Sequence, residues 1–252
     1  MEHPLKPGQR FILPPPPVGD CAVCAERRQK EFEEEQVRRE NRRTAELFLK
    51  WSQVGDHYRS ATFESFENRP GTEAAVKAVK EYLADYDQPN GNWLLLFGPP
   101  GNGKTHLAMA LRNEIERTYG SLAVAITQPY LLQQIRASWN RRDNTDPDSR
   151  SEEWILAKLQ IARFVLIDDL AGFPDWAEDR FFTFIDGRYR TGKRTVFTSN
   201  LGPDQLEDAL GPRLWSRFAA RTEMVRVVAT DYRVEVERPR TLGRKGGGQP
   251  GR

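Results

Sequence analysis

Cysteine is scarce in this sequence, two in 252 residues, so no disulfide framework is expected and a reducing cytoplasm is the expected setting. Long apolar runs are missing as well. None approaches the roughly 18 residues of a membrane span. The opening, MEHPLKPGQRFILPPPPVGD, has no apolar core leading to a cleavage site, so it does not read as a secretory signal. Nor is there an excess of charge of one sign. Thirty-eight Lys and Arg against 36 Asp and Glu leave a formal charge of +2, so nucleic-acid binding would have to come from local basic patches. Internal repeats are also lacking. The composition that is present, 38% hydrophobic and 29% charged, suits one sizeable α/β domain with appendages.

Residues 1–20 are proline-rich, with four consecutive prolines at 14–17, and read as an extended or disordered arm. From Ala25 to Lys50 charged side chains of both signs crowd the chain, and pairs such as Glu34/Arg38 and Glu35/Arg39 fit ion pairs on an exposed helix. So narrow an apolar stripe is expected to pack poorly on its own domain, which leaves a partner site or a solvated spacer as readings. A boundary is expected near residues 52–62. Beyond it, helix-spaced TEAAVKAVKEYLA (72–84) precedes the buried strand NWLLLF (92–97). Then come a helix at 104–117, a strand at 122–127, helices at 129–139 and 153–162, a strand at 164–167, a helix near 177–190 and a strand at 195–198. This alternation predicts a parallel sheet covered on both faces. Met224–Val228 and Tyr232–Glu237 read as further strands, and the basic, glycine-rich tail 238–252 as disordered.

GPPGNGKT, residues 98–105, fills the pattern G-x-x-x-x-G-K-[ST] between a predicted strand and a predicted helix. Gly98, Gly101 and Gly103 are expected to let the backbone turn its N–H groups toward phosphate oxygens, with Pro99, Pro100 and Asn102 completing the loop. The helix N-terminus adds partial positive charge. Lys104 is expected to reach the β- and γ-phosphates of a nucleoside triphosphate, and the Thr105 hydroxyl to bind Mg²⁺. His106 follows and is grouped with this nucleotide-binding run by position, its ring being read as packing. FVLIDDL (164–170) is a buried strand ending in two acids. Asp168 is assigned to Mg²⁺, and Asp169 to orienting and deprotonating an attacking water. TVFTSN (195–200) ends a third strand in Asn200, a candidate to hold that water or a γ-phosphate oxygen; the alternative is a turn or helix cap. GPRLWSRF (211–218) places Arg213 and Arg217 on one helical face, which asks for an anionic partner or a solvated surface.

These strand-end motifs, in this order, resemble the AAA+ ATPases, and more finely the DnaC/DnaI-type bacterial helicase loaders and the related IstB transposition ATPases. The resemblance is carried by ATFESFENRPGTEAAVKAVKEYLADY, LLLFGPPGNGKTHLAMAL, FVLIDDLAG, FIDGRYRTGKRTVFTSNL, LGPRLWSRF and TDYR, from about residue 61 to 233. It implies a P-loop NTPase of the ASCE type with a five-stranded parallel sheet, a charged helical N-terminal extension and no C-terminal lid. The strand carrying Asp168 is expected to lie away from its sequence neighbour. Residues 1–55 would grip the hexameric replicative helicase, and 60–237 would form the ATPase domain that contacts single-stranded DNA. Subunits would associate through their ATP sites, Arg217 serving a neighbour's γ-phosphate in trans with Arg213 in support.

Cys21 and Cys24 form a CxxC, which zinc could use if two further ligands came from elsewhere, His3 and His57 among them; ordinary reduced thiols are the other reading. Arg141, Arg142, Arg188, Arg190, Lys193, Arg194 and the tail are the candidate DNA contacts. Beside the helicase loader stand two other readings: an IstB-like transposition helper, and an ATP-binding assembly switch that hardly hydrolyses.

Overall fold

The computed structural model describes residues 22–52, 56–88, 91–139 and 150–232. The segments written above as arm, tail and Tyr232–Glu237 strand lie outside them, save Tyr232 itself, as do Cys21, Arg141 and Arg142. Among the described residues five strands form one sheet: β1 (Trp93–Phe97), β2 (Ala123–Thr127), β3 (Phe164–Asp168), β4 (Arg194–Ser199) and β5 (Thr222–Arg226). Every pairing is parallel, in the order β2-β3-β4-β1-β5. The expectation that the Asp168 strand is set apart from its sequence neighbour is corrected by this order. β3 pairs with both β2 and β4, and the displaced strand is β1, which lies between β4 and β5.

Strands β1 to β4 are almost wholly buried because helices cover both faces of the sheet. Alternate residues divide between two cores. Trp93, Leu95, Val124, Ile126, Val165, Ile167 and Phe197 face one. Leu94, Leu96, Ala123, Ala125, Phe164, Leu166 and Val196 face the other. The first core is closed by α5 (Gln128–Ser138), α6 (Glu152–Ile161), α7 (Asp175–Thr191) and α8 (Pro203–Arg221). The second is closed by α3 (Glu73–Ala84) and α4 (Lys104–Tyr119), with the short α2 (Asp56–Arg59) alongside. Among the described residues no helical lid follows β5.

The charged N-terminal stretch is a helix, α1 (Ala22–Trp51), with ion pairs such as Glu35–Arg39 on its surface. Its end corrects the expectation of poor packing. Ala45, Phe48 and Trp51 are buried in the first core, and Phe48 stacks on Trp154 of α6. The Ser52 hydroxyl then accepts the Thr127 N–H at the end of β2. Burying a side chain the size of Phe48 contributes about 1.5–3 kcal/mol, so the last turns are the main anchor of α1, with an ion pair from Glu40 to Lys158 of α6 beside them.

Three of the basic residues assigned to DNA are occupied inside the fold. Arg188 is fully buried. Its guanidinium donates to the carbonyls of Leu159 and Ala162, where α6 ends, to Arg194 O and to Thr195 Oγ1 at the start of β4. Burial pulls its pKa down, but four acceptors in a fork geometry hold the charged form. Lys193 donates to the Gln160 and Ile161 carbonyls, and Arg194 to those of Asp85 and Gln88. Arg190 is exposed, but it pairs with Asp186. We expect Arg188→Met to lower the unfolding free energy by about 2–4 kcal/mol, because it strands several buried acceptors. Chemical denaturation checks this, and Arg188→Lys should fall between the variant and wild type.

Candidate functional site

The phosphate loop leaves β1 at the carboxyl edge of the sheet and enters α4. Gly98, Gly101 and Gly103 all have positive φ, at 140°, 73° and 93°. At Gly98 space demands glycine too, since an added Cβ would lie 2.2 Å from the Val227 carbonyl oxygen. The loop is held from outside. Asn102, fully buried, donates to Val227 O at 2.6 Å, the Tyr232 N–H donates to Gly101 O at 2.8 Å, and the Arg69 guanidinium lies over the Tyr232 ring.

Lys104 is buried and points back into the loop. Its Nζ donates to Gly98 O at 2.8 Å, Pro99 O at 2.7 Å and Asn102 Oδ1 at 3.0 Å. A cation held by neutral carbonyls is ready to exchange them for phosphate oxygens, because charge-assisted contacts are about twice as strong. The Thr105 hydroxyl donates to Asp168 Oδ1 at 2.9 Å, so the loop and the β3 acid meet directly. A hydroxyl and a carboxylate are hard oxygen donors, the set that suits Mg²⁺. Burial, then the adjacent Asp169 carboxylate, pushes the Asp168 pKa up to about 6, partly offset by hydrogen bonds from Thr198 and Thr105 and by the charge of Lys104.

Asp169 follows with φ of 56°, the left-handed region, and its side chain is exposed while Asp168 is buried. Two consecutive acids are thus turned to different surroundings. Asn200 is exposed at the rim where β4 ends. It lies beside the loop, since the Gly98 N–H donates to Ser199 O at 3.2 Å. What sequence reasoning missed in TVFTSN is Thr198. Its hydroxyl donates to Asp168 Oδ1 and accepts the Asp169 N–H at 3.0 Å. A hydroxyl facing inward from a wholly buried strand was the available signal, since such groups require partners.

His106 packs toward the segment before β1. Its ring meets Phe66 edge-on, and Nε2 lies 3.1 Å from Ser65 Oγ. Arg213 and Arg217 do share a face of α8, after a break at Gly211. Within this chain that face meets α7. Arg213 reaches Asp179 at 3.1 Å, Arg217 reaches Asp186 at 2.5 Å, and both guanidinium groups lie over the Phe182 ring. Cys24 is half-buried on α1. Among the described residues there is no group of three or more His, Cys, Asp or Glu that could hold a metal, and Cys21 and His3 lie outside them. Among them, too, no helix is long and apolar enough to cross a membrane.

Comparison with known proteins gives this geometry a setting. The family model of IstB-like ATP binding proteins matches residues 23–238. The chain is 29% identical over 189 residues to the phage-like element PBSX protein XkdC of Bacillus subtilis (strain 168), covering 69% of this chain and 67% of that protein. It is 25% identical over 170 residues to the replicative helicase loader DnaC of Buchnera aphidicola subsp. Baizongia pistaciae (strain Bp), 66% of each. Its fold is similar to a crystal structure of the DnaC helicase loader, with a TM-score of 0.59 and 20% identity over 69% of this chain and 100% of that one.

The Asp168 carboxyl has a direct pH signature. A proton on it competes with a divalent cation. Below pH of about 6, Mg²⁺-dependent nucleotide binding should therefore weaken by about tenfold per pH unit. Mg²⁺ titrations of nucleotide binding between pH 5 and 8 check this, and in Asp168→Asn the pH dependence should vanish along with most of the Mg²⁺ requirement.

Proposed function

The chain belongs to the family of IstB-like ATP-binding proteins, and on that premise we propose that it is an ATP-hydrolysing loader that delivers a ring-shaped replicative helicase onto DNA. The observation that carries the ATPase part is the junction at Asp168, where the loop hydroxyl of Thr105 and the β3 acid meet while Asp169 faces solvent. Thr105 and Asp168 would hold Mg²⁺, which when bound draws the phosphate oxygens together and offsets their charge. Lys104 gives up its carbonyl partners for the β- and γ-phosphates. Asp169 orients the attacking water and takes its proton, and Asn200 at the strand edge steadies that water or a γ-phosphate oxygen. The exposed Asp169 argues against a switch that hardly hydrolyses.

Arg217 acts in trans in this reading, reaching the γ-phosphate held by a neighbouring copy, with Arg213 supporting it. To do so it leaves Asp186. A part-exposed ion pair contributes about 1 kcal/mol. An arginine that neutralises charge in the transition state contributes about 10³–10⁵ in rate, or about 4–7 kcal/mol. Release from Asp186 is therefore affordable. The likeness to a protein named as a replicative helicase loader supports the loading role. Within 1–55, the exposed part of α1 and the residues before it would grip the helicase, and the ATPase domain, 60–237, would contact single-stranded DNA. The family match also favours a second reading, an IstB-like helper of a transposase.

Capture of the host's replicative helicase by the purified chain separates the two. The full chain should retain the helicase, and a chain beginning at Asn41, which keeps Thr44–Ser52 in the core, should not. Failure of the full chain to bind sinks the loader reading. A second measurement addresses the arginine. Arg217→Ala should bind ATP normally and lose DNA-stimulated turnover, and mixing it with Lys104→Ala should restore part of that turnover. A mixture that stays inactive removes the trans assignment.

A further inference from the structure

Thr198 is fully buried at the end of β4, on the strand that separates the phosphate-loop strand β1 from the acid-bearing strand β3. A threonine hydroxyl has one hydrogen and two lone pairs. Here the Asp169 N–H occupies a lone pair at 3.0 Å, and the hydrogen goes to Asp168 Oδ1. The backbone of the same residue takes the next amide, since the Leu170 N–H donates to Thr198 O at 2.8 Å. One residue of β4 thus holds a carboxylate and two successive N–H groups of the segment Asp168–Leu170. Between them lies Asp169 with φ of 56°, the one non-glycine residue with positive φ among the described residues. That conformation costs about 1–2 kcal/mol, and it persists because its amide and the next are both tied to Thr198. Thr105 also donates to Asp168 Oδ1, and it would keep that hydrogen while a lone pair met Mg²⁺. Thr198 differs in serving both acids, and it does so from a strand that supplies no ligand to the metal.

We propose that Thr198 is a positioning residue for both acids, orienting the Asp168 carboxylate for the metal and holding the Asp169 backbone in the left-handed turn that aims the base. It touches neither nucleotide nor water itself. The inference rests on the ATPase reading above, and two readouts keep the two apart. Thr198→Val preserves shape and removes the hydroxyl, and Thr198→Ser keeps it. The Mg²⁺ requirement of nucleotide binding and the kcat and KM for ATP are measured on the full chain, with thermal melts as a folding control. Thr198→Val should raise the Mg²⁺ requirement and lower kcat, each by about 10–100-fold, with KM for ATP little changed. Thr198→Ser should stay within about threefold of wild type, as a conserved hydroxyl donor predicts. If Thr198→Val matches wild type in both readouts, or if Val and Ser variants fall together, the inference is overturned. Should the wild type prove unable to hydrolyse ATP, the ATPase reading fails, and the Mg²⁺ titration alone still decides the role of Thr198. If Thr198→Val does not fold, Thr198→Cys, a weak donor of similar size, is compared with Thr198→Ser in its place.

Discussion

Asp168 Oδ1 receives hydroxyls from two elements that are far apart in the chain, Thr105 at the start of α4 and Thr198 at the end of β4. The site depends on that convergence. β1 and β3 each pair with β4, so the loop and the acids are separated by two strand spacings, roughly 10 Å. That gap is spanned by a side chain from the middle strand and one from the helix the loop initiates. The sheet order therefore sets the geometry of this junction as well as the packing. With β3 beside β1, there would be no intermediate strand from which a residue could steady both acids.

Holding a carboxylate there works against the group's own solvation. Burial raises the Asp168 pKa to about 6, and the neighbouring Asp169 adds repulsion. Hydrogen bonds from Thr198 and Thr105 and the charge of Lys104 offset part of this cost. In the proposed ATPase, a divalent cation held by Thr105 and Asp168 would offset the remainder.

Much of this was legible in the sequence. Continuous apolar runs ending in GPPGNGKT, in DD and in TSN marked the strands and the edge at which they end, and Thr105 and Asp168, which the motifs set in one role, are hydrogen-bonded to each other. The unreadable parts share a physical cause: they depend on which way a side chain faces after tertiary packing. Thr198 lies in β4 and Asn200 just past its end. Only the fold shows that the hydroxyl turns inward to the acids while the amide stays at the rim. Arg188, Lys193 and Arg194 look like a basic patch in the sequence, but in the structure they cap the carbonyl ends of helices and turns. In α1 only the last turns are buried, so Phe48 and Trp51 could not raise a stripe above its charged background.

That partial anchoring of α1 has a mechanical consequence. The helix runs without a break from Ala22 to Trp51, about 45 Å at 1.5 Å per residue. It is clamped at one end between β2 and α6, while its other end is exposed. A rigid rod fixed in this way converts small rotations at its root into large displacements at its tip, about 0.8 Å for each degree over that length. The root ends at Ser52, bonded to the carboxyl edge of β2, the same edge of the sheet at which the phosphate loop and the two acids lie. A slight shift of that edge would therefore be felt first, and most strongly, at the far end of the N-terminal helix.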